Sequence, residues 1–287
     1  MTRDDMVISA VPTPFTDAGD LDLPALDTIL AELDDHLDAV LMAGTTGEFP
    51  ALSDDERLQL FATASGVLGT DRVIAHIGHG STRQVIALGQ AALDIGITRF
   101  AILTPYYLPT DDVGVVSWYE RISNAFGDHE LYGYLFPERT GVEVAPDTAR
   151  QILSLPGMAG LKLSGSPSDR IGDYAAVLGE GQRLYSGNDA RLLETLAAGG
   201  HGVVSGVSSA FPQLFGDLRT AVAEERDDQG KLAESVAEVV RLVGPSLPRL
   251  LLAQRLRTGS DWAGRMSGPV IDRETVAWIR QRVTQGA

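Results

Sequence analysis

The chain has 287 residues, 44% hydrophobic and 22% charged, with a formal net charge of −16 and no cysteine. Such a composition belongs to a folded globular protein with room for a sizeable core. It excludes disulfides, thiolate metal sites and cysteine nucleophiles, and its acidity speaks against nucleic acid or an anionic membrane surface as a partner.

The start, Met1-Thr2-Arg3-Asp4-Asp5, is acidic on balance and lacks the basic start and long apolar run of a signal peptide. No apolar run reaches the length of a membrane span, so a cytoplasmic protein is expected. Strand-like runs then alternate with amphipathic helical ones. The first strand is predicted over 6–11, followed by a helix over 23–37 with Leu26, Ile29, Leu30, Leu33 and Leu37 at helical spacing. The second strand covers 39–43. Ser53 caps the next helix, and Glu56 three residues on completes a capping box. The third strand covers 73–78, with Ser81 opening its helix, and the fourth covers 99–103, with a helix near 113–125. The fifth strand is 131–136, with a helix over 146–155. The sixth is 158–163 and the seventh 183–186, with a helix over 190–198. The eighth is 202–205, with a helix near 211–225.

Eight strands, seven of them followed by a helical run, predict an α/β fold, a (β/α)8 TIM barrel over residues 1–226. The rival is a doubly wound open sheet, but no Gly-x-Gly-x-x-Gly follows the first strand. Residues 227–287 show helical periods at 232–242, 247–257 and 273–283, with breaks at Gly244-Pro245 and Ser267-Gly268-Pro269. A small C-terminal helical domain is expected there.

Lys162 stands inside the apolar run Met158-Ala159-Gly160-Leu161-Lys162-Leu163. Of 23 cationic residues only Lys162 and Lys231 are lysine; the others are arginine. A lysine kept in a buried strand suggests chemistry that arginine cannot do, because a desolvated amine can lose its proton and attack a carbonyl to form a Schiff base. The bland alternative is a packed stem with a snorkelling ammonium. In a barrel of this kind the active site lies on the loops that follow the strands. Those loops carry Gly44-Thr45-Thr46-Gly47-Glu48, Thr104-Pro105-Tyr106-Tyr107-Leu108-Pro109, Pro137-Glu138-Arg139 and Ser186-Gly187-Asn188-Asp189. Most such loops only make turns, and tyrosines between prolines are often packing anchors. Tyr134, at the end of the fifth strand, is a candidate proton relay, and Arg139 a candidate grip for a carboxylate. His76 and His79, three apart at a strand end, fall on opposite faces and make a poor metal pair, so no metal site is expected.

In their order and spacing these motifs resemble the dihydrodipicolinate synthase/N-acetylneuraminate lyase family of pyruvate-dependent class I aldolases. The resemblance runs from Val11-Pro12-Thr13-Pro14-Phe15 through Leu52-Ser53-Asp54-Asp55-Glu56-Arg57 and Gly160-Leu161-Lys162 to Gly200-His201-Gly202-Val203-Val204-Ser205. It implies a barrel with a C-terminal helical domain, and a carbon–carbon lyase or synthase using pyruvate, or a related 2-oxo acid, and an aldehyde. It implies no cofactor. Lys162 would form the Schiff base and Tyr134 relay protons. Thr45 would link Tyr134 to Tyr107, which reaches in from a neighbouring subunit of a dimer or tetramer. Thr46 would hold the 2-oxo acid carboxylate, Gly187 and Val204 line the lysine pocket, and Arg139 bind the second substrate's carboxylate. Leu135 stands where the family usually has asparagine, and Leu163 where synthases usually carry an acidic residue; both are expected to reshape the acceptor side. A 2-keto-3-deoxy-sugar-acid aldolase, a 2-oxo acid dehydratase and a catalytically silent 2-oxo-acid-binding homologue are the alternatives.

Overall fold

The computed structural model describes residues 5–284. Eight strands, β1 (Val7–Ala10), β2 (Ala39–Met42), β3 (Val73–His76), β4 (Arg99–Leu103), β5 (Glu130–Leu135), β6 (Met158–Leu163), β7 (Arg183–Ser186) and β8 (Gly202–Ser205), form a closed barrel in that order. The expected strands are all present, their ends shifted by at most about two residues, the usual uncertainty of an element boundary. Nearly every strand residue is buried. Burial on both faces explains why the strands read as continuous apolar runs and not as alternating ones.

The described chain packs as two compact units. The first comprises Asp5, Ile74–Asn188 and Leu192–Val204. Within it β4, β5, β6 and β7 pair in parallel, so that Leu103 stands beside Tyr134, Tyr134 beside Lys162, and Lys162 beside Tyr185. The helix Asp112–Phe126 packs on this sheet. Asp111 caps it by accepting from the Gly114 N–H at 2.8 Å, and its inward face carries Val115, Trp118, Tyr119, Ile122 and Phe126. Tyr119 donates to the Ile102 carbonyl at 2.9 Å and ties the helix to β4. At the amino ends of the strands Arg99 pairs with Asp5 and, at 3.2 Å, with Glu130, which accepts from the Tyr132 hydroxyl. After β6 a 3₁₀ turn, Ser166–Arg170, runs into the helix Ile171–Ala175. Five residues are too few to display a helical period, which is why the sequence announces nothing there.

The second unit comprises Met6–Val73, Asp189–Arg191 and the residues from Ser205 onward. The helix Asp54–Leu68 begins with the expected capping box between Ser53 and Glu56. The helices Gln229–Val243, Leu247–Thr258 and Arg273–Thr284 stand at the expected places. Between the last two, Ala263 makes an antiparallel bridge with Phe15, through hydrogen bonds of 3.1 and 2.8 Å. Beside this bridge Trp262 is buried.

Candidate active site

Lys162 is the penultimate residue of β6 and only 7% exposed. Its Nζ lies 3.8 Å from the ring centroid of Tyr134, which stands beside it on β5 and is 1% exposed. Among the described residues no carboxylate pairs with this ammonium. An aromatic face supplies the electrostatic hold. Tyr134 is itself enclosed. The Phe136 ring stacks on it at 6.1 Å with 25° between planes, and the His76 ring meets it edge-on at 6.1 Å and 79°. The Arg139 guanidinium lies 5.5 Å from the Phe136 centroid. A continuous stack therefore leads from Arg139, exposed in the short helix Pro137–Thr140, through Phe136 and Tyr134 to the buried lysine.

The backbone around this stack is fastened strand to strand. The Thr104 N–H donates to the Tyr134 carbonyl at 3.1 Å, and the Ser164 N–H to that of Leu135 at 2.9 Å. The Gly187 N–H donates to the Leu163 carbonyl at 2.6 Å. A Cβ at position 187 would lie 2.2 Å from Ser164 Oγ and 3.0 Å from the Leu163 oxygen. Only glycine lets the chain after β7 come this close to the end of the lysine strand. Val204 is buried near the end of β8. Leu135 and Leu163 do not line this constellation. Strand alternation turns them to the face opposite Tyr134 and Lys162, where both are buried, so their expected effect on the acceptor side is withdrawn.

Tyr107 stands apart from these residues. It is 92% exposed and holds a positive φ of 78°, unusual for a bulky side chain. Leu108 and Val113 are exposed near it in sequence, and a cavity of about 570 Å³ is lined by Tyr107, Leu108, Trp118 and Arg121 among others.

Thr45 and Thr46 belong to the second unit, on the loop after β2. The Glu48 N–H donates to the Thr45 carbonyl at 3.1 Å, and Thr13 Oγ1 donates to the Gly47 carbonyl at 2.7 Å. Glu48 ends the loop with φ 57° and a fully buried carboxylate that accepts from the Met266 N–H. Burial raises its pKa above the ordinary 4.5, opposed by hydrogen bonds from the Met266 and Arg265 backbones. Arg265 donates to the carbonyls of Gly19 and Ala51, each at 2.8 Å, and to Glu56 at 2.9 Å, and lies over the Phe15 ring at 4.2 Å. No sequence pattern links residue 265 to this loop. His76 was visible only as half of an unlikely metal pair. Among the described residues no group of three or more histidine, aspartate or glutamate side chains is placed to hold a metal.

Comparison with known proteins identifies the family. The model of the dihydrodipicolinate synthetase family matches residues 4–245. A 4-hydroxy-tetrahydrodipicolinate synthase of Thermotoga neapolitana is 37% identical over 217 residues, 73% of each chain. The enzyme of that name from a Cyanothece strain is 33% identical over 219 residues, 76% of this chain and 73% of its own. The crystal structure of dihydrodipicolinate synthase from Aquifex aeolicus superposes with a TM-score of 0.89 over 98% of this chain and 97% of that one, at 24% identity, and so shares the fold. With a family model covering most of its length and named synthases aligned to three quarters of it, this chain is a lyase belonging to the dihydrodipicolinate synthetase family.

Proposed function

We propose that the chain makes or breaks a carbon–carbon bond between pyruvate, or a related 2-oxo acid, and an aldehyde, through a Schiff base on Lys162. The observation that carries this reading is the buried Lys162 ammonium seated on the Tyr134 ring, with no carboxylate paired to it among the described residues. The amine attacks the 2-oxo carbon and water leaves. The protonated imine then withdraws electrons from C3, so that a carbanion there is stabilised without a metal. The Tyr134 hydroxyl both donates and accepts, and carries protons to and from the adduct and the aldol oxygen.

The remaining roles rest on the family resemblance. Thr45 connects Tyr134 to Tyr107, Thr46 holds the 2-oxo acid carboxylate, and Gly187 and Val204 wall the lysine. Arg139, exposed above Phe136, is placed to take a carboxylate on the aldehyde partner. That placement, with the names of the relatives, favours a synthase acting on aspartate semialdehyde over an aldolase acting on a neutral sugar-acid tail. The exposed Tyr107 favours a homo-oligomer in which a second copy receives this side chain.

Borohydride reduction in the presence of pyruvate, read by intact mass and peptide mapping, tests the mechanism. A reduced adduct on Lys162 is expected; a folded sample that gives none leaves only a silent 2-oxo-acid-binding homologue. Consumption of aspartate semialdehyde, set against pyruvate release from 2-keto-3-deoxygluconate, then separates the synthase from the sugar-acid aldolase.

A further inference from the structure

We propose that His76 is a positioning residue for Tyr134, holding the phenol at the tilt from which its hydroxyl trades protons with the Lys162 adduct. The inference rests on the Schiff-base reading and adds a member to its machinery. His76 is the last residue of β3 and 0% exposed. Lys162, Phe136 and His76 are among the groups that bound the Tyr134 ring. Lys162 Nζ lies over its face, Phe136 stacks at 25°, and His76 stands edge-on at 79°. A cation over the face and a near-parallel ring press on the plane of the phenol, and a ring set almost perpendicular meets it edge-on, from a direction the other two leave untouched.

The imidazole is itself wedged. A Cβ at Gly78 would come within 2.7 Å of His76 Nε2, 2.9 Å of its Cε1 and 3.2 Å of the Leu103 Cβ. The bare backbone of Gly78 is therefore what gives a ring of this size its space. Pressed between Gly78 and Tyr134, the imidazole has little room to turn.

Hydrogen exchange at C3 of pyruvate isolates the step concerned, because it needs the imine and the relay but no aldehyde. In it the C3–H bond of the imine breaks and its electron pair passes toward the imine nitrogen, while the Tyr134 oxygen takes up that proton as its own hydroxyl proton passes on to solvent. In D2O the tyrosine exchanges that proton with solvent and returns a deuteron, which NMR reads as loss of the pyruvate methyl signal. Wild type, His76→Ala and His76→Phe would be compared, with borohydride trapping on each. His76→Ala is expected to trap the Lys162 adduct as wild type does and to keep its half-saturating pyruvate concentration. Its maximal exchange rate should fall about 10- to 100-fold, as slight misplacement of a reacting group does. His76→Phe keeps a flat ring and should recover most of the rate. Should His76→Ala not fold, His76→Leu replaces it, keeping volume without a flat ring. Wild-type exchange in the alanine or leucine variant overturns the inference. So does a phenylalanine variant as slow as alanine, which would show that the imidazole nitrogens act and not the shape. Absence of any adduct in wild type would instead overturn the Schiff-base reading, and this inference with it.

Discussion

An ammonium kept 7% exposed must be held by something, and at Lys162 the holder is the Tyr134 ring face. An aromatic face attracts the cation without giving it a fixed counter-charge. We expect Lys162→Arg to abolish turnover and leave the unfolding temperature near that of wild type, because guanidinium keeps the charge and cannot form the imine. A fully active arginine variant would sink the mechanism. Tyr134→Phe keeps the ring under Lys162 and removes the hydroxyl. Trapping should survive and C3 exchange should fall about 10²- to 10⁴-fold, the range for loss of a positioned acid–base group; equal losses of both would point to a role in imine formation alone. Lys162 was legible in the sequence because lysine is rare here and this one interrupts an apolar run. Tyr134 was legible once the fifth strand's end was located. The stack of Arg139 on Phe136 and the edge-on His76 were not, because ring geometry depends on neighbouring strands and leaves no period in either.

The capping box at Ser53 and Glu56 could be read from four consecutive residues. The second task of Glu56 could not, since its partner Arg265 lies 209 residues away in sequence. The Arg265 hydrogen bond is the largest cause holding the Glu56 carboxyl at a pKa of about 2, below its ordinary 4.5. A carboxyl whose pKa is lowered by folding stabilises the fold above its unfolded pKa and loses that contribution as pH falls through the folded value. Wild type should therefore lose stability between about pH 4.5 and pH 2, and Glu56→Gln should lose less over that interval. An identical acid profile for the two proteins would contradict the assignment. Glu48 works in the opposite sense: burial raises its pKa, so keeping it ionised above its ordinary pKa costs stability, offset in part by the backbone of Arg265 and Met266. Arg265→Ala removes several charged hydrogen bonds at once and should destabilise by about 2–4 kcal/mol in chemical denaturation. Under the proposed role of Thr46 it should also raise the half-saturating pyruvate concentration more than it lowers the maximal exchange rate.

Eight strands buried on both faces wrote eight apolar runs into the chain, and the barrel could be counted from them. The grouping of β1 and β2 with the C-terminal helices in one packed unit could not be counted, because it depends on contacts made across more than 200 residues. Across the whole surface the net charge of −16 opposes compaction. Salt screens that repulsion, and the unfolding temperature should rise between low and molar salt; a flat response would show that charge repulsion does not limit this fold. Sedimentation at micromolar protein should show an oligomer, and a strictly monomeric yet fully active species would dismiss the proposed partner role of Tyr107. The strap formed by Arg265 and Met266 bears also on synthesis. The Glu48 carboxylate waits for the Met266 amide 218 residues downstream, an interval of roughly 10–45 s at common ribosomal speeds. The Thr45–Thr46 loop is therefore made long before the amide that fastens its end, and through that interval Thr13, already synthesised, is the side chain at hand to hold it.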